Sequence, residues 1–422
     1  MSVSATYDPA VLVDPVAAAF AAAGPNPALY VQGAGGEPLA LHAVLTAAPE
    51  LVRGARLVSC LLPGVNRYDY AALDPACRVE TFMLTPQLRA GFVAGRVIAH
   101  GLAYSRIGPF LDAQDFDLAI FQVTAPDAEG RVGFGPSVDF PARVFARARR
   151  RLAFINPELP DVAHGPRVPL AAIEHPVLAP GPFVVGEDEA PDATLEAIAA
   201  RVAALVPDGA ALQTGIGGAP AAAVGRLCGR RGLTIRSGMV TPGYQALAEA
   251  GALAEGAPHM TGLAHGPEAF LRWAGAHLVF AGADATHDVA ALAATPRFTA
   301  INSALEVDLF GQVNLEWRGG QLYGGLGGAP DFARAGQASV GGRAILAFPA
   351  AARGGAISRI VPRLNAPAVS LPRDLIDTVV TEHGVAEVRG LDLNARARAL
   401  IAIADPAHQD DLERAWRGLG PF

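Results

Sequence analysis

The segment Leu212-Gln213-Thr214-Gly215-Ile216-Gly217-Gly218-Ala219-Pro220 links an apolar stretch of the chain to an alanine-rich one. An apolar run that ends in glycines and continues into alanines predicts a buried strand, a tight turn and a helix. The same alternation recurs along the chain, and the further apolar runs that we predict to be strands are 57–62, 97–99, 118–123, 278–281 and 344–348. Alternating strands and helices predict an α/β fold with mainly parallel sheets, covered by helices on both faces.

The length of 422 residues predicts two large domains, because one hydrophobic core rarely serves so long a chain. A proline-rich and acidic stretch, 175–192, precedes a predicted helix at 193–205. We therefore expect an N-terminal domain over 1–185 and a C-terminal domain over 186–422, with Thr194 as the N-cap of the helix. The alternative is a long loop within a single domain.

Composition and charge narrow the class of protein. Apolar residues make up 51% of the chain, but no run of 18 or more is free of charged residues, glycine or proline, so we expect no membrane span. The N-terminus has no basic region before an apolar one, and three cysteines fit no disulfide framework, so we expect a cytoplasmic protein. The net charge is −7, and the arginine cluster at 147–151 is typical of a solvated helix end, so we expect no nucleic-acid partner.

The chain contains no lysine, and all 33 of its basic residues are therefore arginine. Schiff-base and pyridoxal phosphate chemistry need an amine side chain, so both are excluded. A phosphate-binding P-loop of the Walker type is excluded for the same reason. The histidines are scattered without metal-ligand spacing, so we predict no metal site.

The glycine turn after the strand predicts a ligand site. Glycines let a backbone approach a ligand closely, and a helix N-terminus offers free N–H groups, so Gly215, Gly217 and Gly218 are candidate binding residues. A dinucleotide would need an acidic residue about 20 positions later, but none lies between Asp208 and Glu249. Two interpretations remain: a structural turn, or a site for another phosphate-bearing or thioester ligand.

Two later segments add candidate catalytic residues. The loop with Gly325, Gly327 and Gly328 is costly to order, which favours an oxyanion hole of backbone N–H groups over a mobile surface loop. A predicted strand then runs into Glu382 and His383, and the ends of parallel strands are where α/β folds build their sites. Glu382 is a candidate acid or base, and the alternative is a structural ion pair with Arg389.

Six segments in order resemble the acetyl-CoA hydrolase and 4-hydroxybutyrate/acetate CoA-transferase family. The resemblance covers most of the chain, and the segments are DLAIFQVTAPDAEG (117–130), INPELP (155–160), NSALEVDLFGQVN (302–314), GGAPDF (327–332), ISRIVP (357–362) and TEHGVAEVRG (381–390). The resemblance implies two CoA-transferase-like α/β domains with an acyl-CoA site between them, and a homodimer or higher homo-oligomer. It also implies substrate binding near Asn314, catalysis near Gly328, no covalently bound cofactor, and coenzyme A as part of the substrate.

The chain departs from this family at one position. Relatives attack the thioester with a glutamate in a short His-Ser/Thr-Glu-Met segment, and form a glutamyl-CoA thioester. The matching residues here are Arg236-Ser237-Gly238-Met239, so Gly238 stands where the glutamate belongs. A glycine has no side chain that could attack a thioester, so the glutamyl-CoA route is not available at this position.

Three functions remain compatible with the sequence. In the first, water attacks an acyl-CoA, Glu382 acts as general base tuned by His383, and the glycine loops hold the oxyanion. The reaction would be thioester hydrolysis or hydrolytic C–C cleavage of a β-keto acyl-CoA. In the second, the chain binds an acyl-CoA or an active partner without catalysis. In the third, the chain is a CoA-transferase with a different nucleophile.

Overall fold

The computed structural model describes residues 7–187 and 190–420, which form two compact units. The first unit contains the described residues up to Glu187 together with Met260–Thr286, and the second contains the rest. The helices are α1 (Pro9–Ala23), α2 (Leu39–Ala47), α3 (Arg89–Val93), α4 (Tyr104–Asp112), α5 (Pro141–Phe145), α6 (Ala193–Leu205), α7 (Gly218–Gly225), α8 (Gly243–Glu249), α9 (Glu268–His277), α10 (Ala283–Thr286), α11 (Val289–Ala293), α12 (Ala329–Ala338), α13 (Leu393–Ala402) and α14 (Pro406–Gly418).

The strands are mostly short, and several follow one another without a helix between them. They are β1 (Ala28–Val31), β2 (Arg56–Val58), β3 (Arg78–Thr81), β4 (Val97–Ala99), β5 (Leu118–Val123), β6 (Arg131–Gly133), β7 (Arg151–Ile155), β8 (Arg167–Pro169), β9 (His175–Leu178), β10 (Ala211–Thr214), β11 (Thr234–Ile235), β12 (Met239–Val240), β13 (Met260–Thr261), β14 (Leu263–Ala264), β15 (Val279–Phe280), β16 (Phe298–Asn302), β17 (Glu306–Asp308), β18 (Val313–Asn314), β19 (Trp317–Arg318), β20 (Gln321–Leu322), β21 (Arg343–Ala347), β22 (Ala351–Ala352), β23 (Ile357–Ser358), β24 (Ile360–Val361), β25 (Thr378–Thr381) and β26 (Gly384–Glu387). The α/β class that the sequence predicts is confirmed.

The first unit is built on a seven-stranded parallel sheet with the order β4-β3-β2-β1-β5-β7-β9. Every residue of β5 is buried, as expected for a strand covered by helices on both faces. The last strand, β9, lies within the stretch 175–192 that we interpreted as a linker. Its residues pair with β7, so only the later part of that stretch connects the units.

The segment Met260–Thr286 belongs to the first unit, whereas the sequence prediction assigned all residues after 185 to the second domain. Backbone hydrogen bonds hold it there, from Val138 N to the Gly262 carbonyl at 2.9 Å and from Phe280 N to the His164 carbonyl at 2.7 Å. One domain boundary therefore does not describe this division of the chain. The sequence did not predict it, because no local pattern marks the segment as part of the first unit.

The second unit contains a six-stranded sheet with the order β11-β10-β16-β21-β25-β26. Its first five strands are parallel, and β26 returns antiparallel to β25. Below α12, α13 and α14 lies an apolar core whose largest buried members include Phe348, Leu346, Leu400 and Trp416. None of the helices among the described residues is long and apolar enough to cross a membrane.

Candidate functional site

The candidate site lies at the carboxyl edge of the second unit's sheet. Because β10, β11 and β25 are parallel members of one sheet, the residues that follow them emerge at the same edge. These residues are Gly215 after β10, the turn with Gly238 after β11, and Glu382 after β25. Strand spacing separates β10 from β25 by about 14 Å, so the edge offers two neighbouring centres rather than one cluster.

The first glycine loop is shaped by close packing. A Cβ on Gly215 would lie 2.3 Å from Asn302 Oδ1, and the Gly215 N–H donates to the Ile301 carbonyl at 2.8 Å. Gly217 has a φ of +138°, which favours glycine, and α7 begins at the next residue, Gly218. The Gly215 N–H is therefore used in a backbone hydrogen bond within the sheet. Asn302 lies against this loop, although our site prediction left it out.

The turn with Gly238 is anchored to the end of β10. The Ser237 hydroxyl accepts a hydrogen bond from Thr214 N at 3.3 Å and donates to the Met239 carbonyl at 2.6 Å. A Cβ on Gly238 would lie 2.6 Å from His287 Cε1 and 2.9 Å from His287 Nε2. Any side chain at this position would therefore require the imidazole to move.

The same imidazole faces Gly328. This glycine is the N-cap residue of α12, and its carbonyl accepts hydrogen bonds from Asp331 N at 3.1 Å and Phe332 N at 3.0 Å. A Cβ on Gly328 would lie 2.5 Å from Phe332 Cε2 and 2.6 Å from His287 Nε2. A side chain at Gly328 would thus disturb packing, so a substitution there cannot isolate an effect on an oxyanion.

His287 is the side chain that brings these two glycines together. It is 4% exposed, and its ring centroid lies 4.6 Å from that of Phe332. Burial lowers the pKa of His287 to about 3, so the imidazole is neutral near pH 7. His287 was not among the predicted site residues, because nothing in the local pattern before α11 places it beside Gly238.

Glu382 forms the second centre, at the end of β25. Its Oε2 accepts a hydrogen bond from Ala350 N at 2.8 Å, and its Oε1 lies 3.8 Å from Nε2 of the exposed His383. Arg389 instead pairs with Asp377, with 3.7 Å between Nε and Oδ1. The alternative interpretation, an ion pair between Glu382 and Arg389, is therefore wrong.

A half-buried guanidinium lies near Glu382. Arg359 Nε donates to the Leu305 carbonyl at 3.0 Å, and its guanidinium lies 5.1 Å from the centroid of the Phe348 ring. The pKa of Arg359 is lowered to about 10, mainly by burial and also by the charge of Arg318, while Glu382 opposes the shift. The sequence prediction named Arg359 only within the family segment 357–362, because its neighbours come close to it only in the folded chain.

Asn314 is engaged within its own hairpin. Its Nδ2 donates to Glu306 Oε2 at 3.1 Å and to the Trp317 carbonyl at 2.7 Å, while its Oδ1 accepts from two backbone N–H groups. Its role in substrate binding stays a prediction without support from these contacts. Gly325 and Gly327 lie half-buried in the loop before α12, and Gly327 has a φ of +55° that favours glycine.

The described ranges, 7–187 and 190–420, contain no group of three or more histidine, cysteine, aspartate or glutamate side chains arranged to hold a metal ion. The groups that this edge presents are backbone N–H groups, the partly buried carboxylate of Glu382 and the guanidinium of Arg359.

Comparisons with known proteins give one consistent picture. The family model described as the acetyl-CoA hydrolase/transferase C-terminal domain matches residues 268–416. The chain is similar to 4-hydroxybutyrate coenzyme A transferase of Clostridium kluyveri, with 33% identity over 316 residues that cover 71% of this chain and 72% of that protein.

Two solved structures extend the likeness to nearly the whole fold. RipA from Yersinia pestis matches with a TM-score of 0.85 and 24% identity, over 98% of this chain and 99% of that one. The 4-hydroxybutyrate CoA-transferase of Porphyromonas gingivalis matches with a TM-score of 0.77 and 25% identity, over 96% of this chain and 97% of that one. The fold of the chain is thus that of known structures.

Proposed function

We infer, because the chain belongs to the acetyl-CoA hydrolase and CoA-transferase family, that it acts on an acyl-CoA thioester. We further propose that water attacks this substrate and that no glutamyl-CoA intermediate forms. The observation that carries the proposal is the packing at Gly238, where a Cβ would lie 2.6 Å from His287 Cε1. Position 238, which we match to the family's nucleophile, therefore carries no carboxylate, and the His287 ring occupies space that a glutamate side chain there would need.

Glu382 is the general base in this proposal. The Ala350 N–H holds one carboxylate oxygen at 2.8 Å, which fixes the orientation of the group and leaves the other oxygen for a water molecule. Glu382 takes a proton from water, the water oxygen bonds to the thioester carbon, and the C–S bond breaks. The proton then passes to the sulfur of the departing coenzyme A.

We propose that the thioester lies between the two centres, so that Glu382 reaches it from one side and the loop with Gly325, Gly327 and Gly328 stabilises the developing oxyanion through backbone N–H groups from the other. A β-keto acyl-CoA offers a second reaction at the same site, in which water attacks the keto carbon. The C–C bond then breaks to give a carboxylic acid and the enolate of a shorter acyl-CoA, which takes up the proton that Glu382 received from water. We also propose that the protein is cytoplasmic, from its cysteine content, and that it forms homo-oligomers, from the family resemblance.

A panel of acyl-CoA thioesters tests this proposal. We expect turnover without any added acceptor, seen as free coenzyme A for hydrolysis, or as a shorter acyl-CoA and an acid for C–C cleavage. Turnover that requires a free carboxylate, and that makes its CoA ester, would contradict the proposal and favour a transferase. Tight binding with no product from any thioester would favour the non-catalytic function.

A further inference from the structure

One imidazole is enclosed by two glycines from different elements of the second unit. The virtual Cβ of Gly238 lies 2.9 Å from His287 Nε2, and that of Gly328 lies 2.6 Å from the same atom. Real Cβ atoms do not approach other atoms so closely, because the packed interior resists overlap. The tip of the His287 ring therefore occupies space that side chains at either position would need.

The surroundings of the His287 ring favour a neutral side chain that fills space. The side chain is buried, its ring contacts the ring of Phe332, and Phe332 itself lies 3.5 Å from the virtual Cβ of Gly238. Burial also depresses the pKa of the imidazole, so it does not take up a proton near neutral pH. The ring is therefore neutral and buried, and it occupies the space beside both glycines.

We propose that His287 determines which reaction the site performs, by occupying the volume that a glutamate side chain at position 238 requires. In this proposal Gly238 and His287 are sterically coupled, because the ring of His287 leaves no room for a side chain at position 238. The inference rests on the proposed function for its ligand, an acyl-CoA, but its steric part stands on the geometry alone.

The pair predicts that transferase chemistry returns when both residues change together. In the variant Gly238→Glu with His287→Ser, a carboxylate oxygen would attack the thioester carbon and release coenzyme A as the thiolate. The thiolate would then attack the glutamyl carbonyl, release the acyl group as a carboxylate, and leave coenzyme A bound to the glutamate as a thioester.

The experiment is a double-mutant cycle with two readouts, melting temperature and intact mass after incubation with acetyl-CoA and butyryl-CoA. We expect Gly238→Glu alone to lower the melting temperature by several degrees and to give no adduct, because the carboxylate meets the imidazole. The double variant should regain at least half of that loss and gain the mass of a CoA thioester.

A matched control is the double variant Gly238→Gln with His287→Ser, which has the same volume but no nucleophile. It should be as stable as the glutamate double variant and form no adduct. His287→Ser alone should also form none.

The cycle separates the inference from the proposed function. Additive losses in melting temperature would overturn the inference whether or not any ligand binds, as would an adduct on the single variant Gly238→Glu. A double variant that binds acyl-CoA but forms no adduct would also overturn it. Failure of the wild-type protein to bind any acyl-CoA would instead remove the proposed function, and the thermal coupling would then decide the steric inference.

Discussion

At the scale of single residues, Gly238 and Glu382 define what chemistry remains possible. Our sequence prediction matches Gly238 to the glutamate that the family uses as nucleophile, and the imidazole of His287 lies where a Cβ at this position would need space. Glu382 keeps a defined geometry through its hydrogen bond from Ala350 N. The carboxylate that the site retains is thus an oriented base candidate rather than the family's nucleophile.

The first prediction concerns Glu382. We expect Glu382→Gln to lower turnover of the best acyl-CoA by roughly 10²–10⁴-fold, since an amide cannot accept a proton from water. The amide oxygen can still accept the Ala350 N–H, so the melting temperature should change little. Steady-state kinetics and thermal unfolding measure the two quantities.

Arg389→Gln is the matched control for this variant. Its guanidinium is exposed and pairs with Asp377, so we expect nearly unchanged turnover and only a small loss of stability. Equal losses of activity in both variants would show that Glu382 acts structurally.

A buried acid in the first unit gives a second prediction, on pH dependence. Asp139 is 7% exposed, and burial raises its pKa from 3.8 to about 7, opposed by the nearby Tyr104 hydroxyl. The acid is therefore neutral in the fold at a pH where it ionises in the unfolded chain. The neutral Asp139 carboxyl contributes fully to the free energy of unfolding below about pH 4. As the pH rises to about 7, this contribution falls by about 4 kcal/mol.

Asp139→Asn should remove this dependence. Relative to the wild type, the variant should gain several degrees in melting temperature between pH 4 and pH 8. The exposed Asp115→Asn is the control and should follow the wild type at every pH. A constant difference between Asp139→Asn and the wild type would mean that Asp139 is ionised in the fold.

At the scale of elements, the sequence predicts the bounds of strands and helices well where local periodicity and composition determine them. The strands at 97–99 and 118–123 and the helix at 193–205 have the predicted bounds. The strand predicted at 57–62 ends already at Val58, because the Cys60 carbonyl accepts a hydrogen bond from Ala34 N in a loop. Local patterns do not reveal such tertiary partners.

The N-cap of α6 illustrates the same limit and supplies a third prediction. The side chain of Asp192, not Thr194, accepts a hydrogen bond from Leu195 N at 2.8 Å. We expect Asp192→Ala to lower the free energy of unfolding by about 1 kcal/mol, within the usual 0.5–2 kcal/mol for a lost cap.

Thr194→Ala should lie within about 0.5 kcal/mol of the wild type, because Thr194 is inside the helix, where alanine is favourable. Chemical denaturation of both variants measures the difference. A larger loss in Thr194→Ala than in Asp192→Ala would contradict the capping geometry.

At the scale of the whole molecule, the sequence predicted two α/β units and the family, and both are confirmed. It did not predict that Met260–Thr286 joins the first unit, because that depends on backbone hydrogen bonds with residues more than 100 positions away. The roles of His287, Asn302 and Arg359 were missed for the same reason. Each becomes a site neighbour only when distant loops reach the same sheet edge.

The central claim is that water attacks the acyl-CoA directly. A single turnover in ¹⁸O-labelled water, with enzyme in excess over acyl-CoA, tests it most directly by mass spectrometry of the product acid and of the peptide with Glu382. The account predicts one ¹⁸O atom in the acid from the first turnover and none in Glu382. An unlabelled first-turnover acid, with ¹⁸O appearing in a protein carboxylate as turnover continues, would contradict it.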